Sequence, residues 1–369
     1  MIVKDTDVLI GMQYGSEGKG VIAQHLAKDY ANIGCCNSSQ AGHTIYVDGI
    51  KRVNRQLPSG WCNLDARLFI GAGSMINPTV LKEEVDGLEA AGYHIKNRLF
   101  IDRNAGLVLP WHQDKEQQIF KDGQSTKEGV GAAWQDRVVR NAPVASELHF
   151  FKSEGYNVVN VSDMLAKAKG GILLEGCQGF GLSLFHGDYP HVTSRDTTPG
   201  TLMAGMGINP HRLNEVYGVM RTYPIRIHGE SGPMGKEISW EEVTKRCKSD
   251  KPICEMTTVT KKVRRVAKID WEMLKRSARI CGVTNIALTF LNYIDSTDYG
   301  KNNYLFLSDK GKKFIWKTIN KLNIPVSIVN TSPMPEHNFR LPSLGALYAT
   351  KSDVTDENGR KFLCDNKGD

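Results

Sequence analysis

The chain has 369 residues, 40% of them hydrophobic and 24% charged, with a formal net charge of +7. These values describe an ordinary globular protein and exclude collagen-like, disordered and disulfide-scaffold classes. No apolar run approaches the about 20 residues of a membrane span, and Met1–Asp5 lacks the apolar core of a signal peptide, so a cytoplasmic location is expected. The cysteines, at 35, 36, 62, 177, 247, 254, 281 and 364, are scattered, with no Cys-x-x-Cys and no zinc spacing, and read as reduced thiols. Positive charge is spread out and densest at Lys261–Arg265. Charge of this kind suits small anionic substrates better than nucleic acid, which calls for a concentrated basic face.

The first element is a short apolar run, Val8–Ile10, that ends at Gly11. Gly11, Gly15, Gly18 and Gly20 then fall within ten residues, and from Val21 the apolar spacing turns helical. Strand, glycine loop and helix in that order place free helix N–H groups beside a backbone that a ligand can approach closely. Lys19 adds a mobile positive charge, so the stretch reads as a phosphate-binding loop. It departs from the P-loop pattern, because Gln13 stands where the first Gly belongs and Gly20 where the Mg²⁺-binding hydroxyl belongs. A tight turn serving packing alone would leave Lys19 unexplained.

Farther along, Gln40-Ala41-Gly42-His43-Thr44 forms a polar loop before Ile45–Val47. Residues 78–92 read as an amphipathic helix opening at Pro78, and Leu99–Asp102 as a strand. In Ser125–Arg140, hydroxyls alternate with glycines, which reads as a second phosphate cradle. Gly171–Gly176 is a buried-strand pattern leading into Cys177-Gln178-Gly179, where Gln178 offers both a donor and an acceptor. Residues 254–270 are rich in Thr, Lys and Arg and suit a dicarboxylate, although a solvated basic turn has the same composition. Ile286–Asn292 reads as a strand entering a loop, and Val329–Pro333 as a second such loop. The domain organisation expected is a catalytic domain over 1–345 and a polar tail over 346–369.

Several of these stretches, in the same order, resemble the adenylosuccinate synthetases. The glycine loop is similar to Gly-x-x-x-Gly-Asp-Glu-Gly-Lys-Gly, and residues 40–44 to Asn-Ala-Gly-His-Thr. Residues 125–140 resemble Thr-Thr-x-x-Gly-Ile-Gly-Pro-Ala-Tyr-x-Asp-Lys-x-x-Arg. Residues 175–194 resemble Glu-Gly-Ala-Gln-Gly…His-Gly-x-Tyr-Pro-x-Val-Thr-Ser. The resemblance implies an α/β fold related to the P-loop NTPases, with a large, mostly parallel sheet flanked by helices, working as a homodimer. It implies catalytic roles for Lys19, His43 (general acid) and Gln178 (holding the purine O6), with Ser16 at the family's catalytic Asp.

For the nucleoside monophosphate the implied residues are Ser16, Gln40, Ser125, Thr126, Gln178 and Thr193, with Arg140 reaching across from the neighbouring subunit. For the ATP-type donor they are Gly15, Glu17, Gly18, Lys19, Gly20, Gly42, His43, Thr44, Asn292, Asn330, Ser332 and Pro333. For aspartate they are Thr258, Val259, Thr260, Lys262 and Arg264, and for Mg²⁺ they are Ser16 and the Gly42 carbonyl.

Two departures bear on specificity. Ser16 replaces the family's base, and a shorter side chain there leaves room for the 2-amino group of guanine and can accept a hydrogen bond from it. Asn292 replaces the Asp that reads guanine in GTP, while Phe290 replaces a Lys. Both changes match the phage-type branch of the family, which joins dGMP to L-aspartate using ATP or dATP. The resemblance leaves two other readings open: an ordinary synthetase acting on IMP, separable by assaying IMP against dGMP, and an inactive nucleotide-binding regulator, excluded by aspartate-dependent phosphate release. The stretch between Tyr293 and Phe314 is shorter than in the ordinary enzymes.

Overall fold

The computed structural model describes residues 3–119, 125–257 and 262–342. Strand β1 (Thr6–Gly11) is fully buried and feeds helix α1 (Lys19–Ala27), followed by β2 (Asn32–Cys35), the hairpin β3 (His43–Val47) and β4 (Ile50–Asn54), and β5 (Arg67–Ile70). Next come β6 (Met75–Ile76), α2 (Pro78–Ala90), β7 (Leu99–Asp102), β8 (Gly106–Leu107), α3 (Pro110–Ile119) and α4 (Val130–Val138). Then α5 (His149–Ser153), β9 (Asn157–Val159), α6 (Val161–Ala166), β10 (Ile172–Gly179), α7 (Pro199–Met206) and β11 (Leu213–Arg221) complete the first half of the sheet and cross to the second. The remainder is β12 (Ile225–Arg226), β13 (Glu237–Ile238), α8 (Trp240–Cys247), β14 (Arg265–Ala267), α9 (Trp271–Cys281), β15 (Asn285–Thr289), α10 (Asp309–Leu322), β16 (Val326–Asn330) and β17 (Asn338–Arg340).

Among the described residues ten strands form one sheet, ordered β17-β16-β15-β11-β1-β10-β2-β5-β7-β9. Every pairing is parallel except that of β16 with β17 at one edge. Parallel sheets need cover on both faces, and two core clusters supply it. Successive side chains of β1 alternate between them: Val8 and Ile10 pack in one, Leu9 in the other. A small antiparallel sheet, β12-β14-β13, sits on a third cluster around Tyr223, Trp240 and Val266.

The expected helix at Pro78 is present because Asn77 caps it, its side chain accepting from Thr79 N at 3.1 Å and Val80 N at 3.3 Å, with Pro at the first helical position. β10 runs three residues beyond the expected end at Gly176, to Gly179, because its pairing with β1 continues to Gly11 opposite Gly179, whereas that with β2 stops at Glu175.

Strand order fixes where the site falls. The chain leaves β1, builds the side with β2, β5, β7 and β9, returns through β10, then builds the other side through β11 and β15. The crevice at such a reversal, beyond the carboxyl ends of parallel strands, is where open α/β sheets bind ligands. The glycine loop after β1, the 37–40 loop after β2, Gln178 in β10, Phe290 after β15 and Ser332 after β16 all lie at that edge.

Candidate active site

The glycine loop is shaped by a carboxylate. Glu17, fully buried, accepts the N–H of Gln13 at 3.1 Å and of Gly15 at 2.8 Å, and its other oxygen lies 2.7 Å from Lys19 Nζ. Lys19 is therefore ion-paired and not the mobile charge expected from sequence, because an ammonium only 3% exposed requires a counter-charge. Gly15 and Gly18 have φ of 86° and 85°, backbone that glycine adopts without penalty. The α1 N-terminus carries no side-chain cap and no acidic residue in its first turn, so its donors remain available to an anion. Thr289 Oγ1 donates to the Glu17 carbonyl at 2.6 Å and binds the loop to β15.

His43 lies beside this loop: a Cβ on Gly20 would come 3.0 Å from His43 Cβ. Its Nδ1 is 2.6 Å from Glu175 Oε1, and Glu175 also accepts Ser59 N at 2.5 Å and Ser59 Oγ at 2.8 Å. Burial alone would raise the Glu175 carboxyl, but the His43 ring and the two Ser59 donors outweigh it and hold it below the usual glutamate range. An ionised carboxylate at Nδ1 fixes the ring orientation and leaves Nε2 for a reacting group. Sequence reading passed over Glu175. The available signal was a carboxylate inside the apolar run Ile172–Leu174, which must be paired when buried.

Gln178 adopts φ 58°, and both polar atoms of its amide are buried with no hydrogen-bond partner. A buried primary amide left with donor and acceptor open suits a ligand that presents both. Asn37 Oδ1, Ser38 Oγ and Ser39 Oγ nearby in the chain are likewise buried and unpartnered. Gln40 Nε2 donates to Thr193 Oγ1 at 2.9 Å, so two of the expected monophosphate residues meet across 153 positions of sequence. Thr44 pairs with Val53 in the hairpin and stands next to His43.

The second phosphate cradle is not available as read. Glu116, 2% exposed, takes the amides of Gly129 (2.9 Å), Gly131 (2.5 Å) and Ala132 (3.3 Å) and the Ser125 hydroxyl (3.1 Å). Helix α4 thus begins on its own chain's carboxylate, for the same dipole and donor reasons that would have drawn a phosphate. Thr126 is exposed, as is Arg140 at the far end of α4, with φ 64°.

At the other side Asn330 Nδ2 donates to the Ser332 carbonyl and, at 2.9 Å, to Asn338 Oδ1, and the Phe290 N–H approaches Asn330 Oδ1 at 3.5 Å. Asn292 is half-buried in the turn Leu291–Tyr293, two residues after Phe290, and Pro333 is exposed three residues after Asn330. The basic loop folds back on itself, with Thr257 N to Lys262 O at 2.9 Å and Arg264 N to Glu255 O at 2.8 Å. Lys262 is exposed and Arg264 half-buried, its guanidinium pKa lowered by burial. Thr258, Val259 and Thr260 lie outside the described residues, as does the 346–369 tail.

For a metal, the described residues hold no group of three or more His, Cys, Asp or Glu side chains able to bind one. The oxygen donors present, the Ser16 hydroxyl and the Gly42 carbonyl, are hard ligands that fit a Mg²⁺ carried chiefly by phosphate and water and not a metal caged by protein.

A parallel α/β sheet with an anion-ready helix end, an oriented histidine and an open buried amide at its switch point defines a nucleotide-using enzyme. The sequence model of the family described as adenylosuccinate synthetase matches residues 8–165 and 151–302. The chain is 35% identical to the adenylosuccinate synthetase of Thermococcus onnurineus over 337 residues, covering 89% of this chain and 96% of that one. It is 36% identical to that of Methanocaldococcus jannaschii over 333 residues, covering 88% and 94%. Among solved structures it is similar to the succinoaminodeoxyadenylate synthetase of cyanophage S-2L bound to dGMP and dATP (TM-score 0.79, 28% identity, 94% and 99% covered). It shares the fold of the fully ligated adenylosuccinate synthetase of Plasmodium falciparum (TM-score 0.80, 21% identity, 92% and 100% covered). The chain belongs to the adenylosuccinate synthetase family, whose members are carbon–nitrogen ligases.

Proposed function

We propose that this enzyme joins L-aspartate to dGMP at the expense of ATP or dATP, giving N6-succino-2-amino-2′-deoxyadenylate for 2-aminoadenine nucleotide synthesis. The observation that carries this reading is Ser16, exposed at the tip of the glycine loop with φ 55°, where the family has a carboxylate. A carboxylate there would crowd the 2-amino group of guanine, and a hydroxyl accepts a hydrogen bond from it. The cyanophage relative bound to dGMP and dATP supports the same direction. The rival substrate, IMP, is favoured by the curated relatives at 35–36% identity, which are ordinary synthetases.

The reaction runs in two displacements. The purine O6 attacks the γ-phosphorus, the donor diphosphate leaves, and the N1 proton departs to solvent. The aspartate amine then attacks C6 and phosphate leaves. Gln178 holds O6 through its open amide. The α1 N-terminus and Lys19 take the charge developing on the transferred phosphoryl group. His43, oriented by Glu175, gives a hydrogen bond or proton to it through Nε2. Gln40, Thr193 and the hydroxyl of Thr126 hold the monophosphate, with Arg140 of a second copy completing that site in a homodimer, whereas the Ser125 hydroxyl gives its proton to Glu116. Arg264 and Lys262 receive the aspartate carboxylates. Mg²⁺, when bound through Ser16 and Gly42, would neutralise phosphate charge. The catalytic unit spans 1–345. The described residues contain no helix long and apolar enough to cross a membrane, and the site of action proposed is the cytoplasm.

The test is aspartate-dependent phosphate release with dGMP and IMP as acceptors. A kcat/KM for dGMP at least about tenfold above that for IMP is expected, a discrimination within reach of one hydrogen-bonding group. Preference for IMP would return the enzyme to the ordinary branch, and no turnover with any acceptor would leave the nucleotide-binding regulator. Sedimentation equilibrium reads the subunit count.

A further inference from the structure

Arg221, the last residue of β11, is fully buried, yet it is absent from every role assigned above. Its guanidinium touches three segments, two of them assigned above to the donor and one to aspartate. Nη1 donates to the Ser16 carbonyl at 3.0 Å, in the glycine loop. Nη1 and Nη2 both reach the Glu255 carboxylate, three residues before the undescribed part of the basic loop. The centroid of the Phe290 ring lies 4.0 Å from the guanidinium carbon, in cation–π contact, two residues before Asn292 in the turn assigned to the donor base. The backbone adds a fourth tie: Gln13 Oε1 accepts Arg221 N at 2.9 Å while Gln13 Nε2 donates to Arg221 O at 3.1 Å.

Each contact falls on a residue whose conformation matters. Ser16 and Phe290 both sit at positive φ, 55° and 57°, which a serine and especially an aromatic residue hold only when neighbours impose it. Phe290 is pinned from the other side by Thr222 Oγ1, which donates to its carbonyl at 2.7 Å. Glu255 is followed by the backbone pairing that carries Arg264, through Arg264 N to Glu255 O. A buried ion pair is a weak source of net stability but a strong fixer of register. The planar fork of arginine, spanning a carbonyl and a carboxylate while its face covers a ring, is a shape lysine lacks.

We propose that Arg221 is a positioning residue that sets the glycine loop, the donor-base turn and the aspartate loop in one mutual register, so that donor and aspartate bind cooperatively through it. This rests on the assignment of those loops to donor and aspartate, not on which purine is the acceptor.

The experiment uses the full chain, saturated with whichever monophosphate the wild type turns over, and calorimetric titration of aspartate with and without a non-hydrolysable ATP analogue. In the wild type the analogue strengthens aspartate binding about fivefold or more, and aspartate strengthens analogue binding by the same factor. Arg221→Lys and Glu255→Gln each reduce that factor to about twofold or less, while the monophosphate Kd stays within about twofold of wild type. Glu255, with its side chain 21% exposed, carries the test if Arg221→Lys does not fold. A wild type without coupling, variants that keep the full factor, or a joint loss of all three affinities would each overturn the proposal. Acceptor choice is read separately from turnover, so failure of the dGMP assignment leaves these outcomes intact.

Discussion

Glu175 Oε1 lies 2.6 Å from His43 Nδ1 and holds the ring from a fully buried position, while two Ser59 donors satisfy the rest of the carboxylate. Glu175→Gln keeps an acceptor but loses the charge that fixes the tautomer. We expect kcat to fall about 10- to 100-fold with the KM for donor and acceptor nearly unchanged. His43→Ala should fall about a hundredfold or more. Single-turnover release of donor diphosphate reads the step directly, and a Glu175→Gln rate within twofold of wild type would make the pair structural.

Lys19→Ala removes one half of a buried pair and leaves the Glu17 carboxylate with only its two backbone donors. Breaking such a pair costs about 3–5 kcal/mol of stability, together with most of the activity. Adding Glu17→Gln removes the unpaired charge, so the double variant should regain part of the melting temperature and none of the turnover. Recovery of turnover would show that Lys19 serves only to balance Glu17.

Asn292→Asp places a carboxylate in the turn that follows Phe290, whose N–H approaches Asn330. Guanine offers N1–H and N2–H to such an acceptor, whereas adenine N1 is repelled by it. Donor selectivity should shift toward GTP without full reversal, because Phe290 remains. An unchanged ATP:GTP ratio of kcat/KM would place base reading elsewhere.

Ser16→Asp separates the two acceptors. Asp tolerates positive φ better than most residues, so the loop geometry at 55° is kept and the change falls on specificity and not on folding. The dGMP kcat/KM should drop and IMP turnover should rise, with tighter Mg²⁺ dependence. If the IMP:dGMP ratio is the same in both proteins, position 16 does not choose the base.

Glu84, on α2, accepts the amides of Arg55, Gln56 and Leu57, yet burial outweighs these donors and pushes its carboxyl up to about 7. Between the usual glutamate value and that point the folded state binds the proton that the unfolded state releases, so stability falls as pH rises through this window. The loss is on the order of 3 kcal/mol by pH 8. Because burial holds the His25 ring down at about 4 and so contributes the opposite slope over part of this range, the comparison is between proteins: the melting temperature of Glu84→Gln relative to wild type should climb from about pH 5 to 8. Parallel curves for the two proteins would refute the shift.

The strand–loop–helix at Gly11–Lys19, the Pro78 helix and the buried run before Gln178 were legible because each is set by local rules: glycine spacing, an N1 proline, apolar continuity. His43 and the monophosphate residues became legible only through the family resemblance. Glu175, Glu116 and Arg221 were not, since their partners lie 116 to 132, 9 to 16 and 34 to 208 positions away. Which residues meet depends on β10 inserting beside β1 and on β11 flanking it, and strand order leaves no periodic trace in sequence. For Glu175 and Arg221 the only local mark was a charged residue within or closing an apolar strand, and Glu116, in the polar helix α3, carried none.

Glu116 has a bearing on how this site can change over generations. By closing the amide end of α4 it removes from the proposed monophosphate site the peptide N–H groups, a class of ligand that only proline deletes. What remains for that phosphate is hydroxyl, amide and guanidinium side chains, each replaceable in a single codon step. The glycine loop is the opposite case, its amides and helix end fixed by the backbone. On the roles proposed above, acceptor recognition is thus the evolvable part of the enzyme and the handling of the donor phosphates the inherited part.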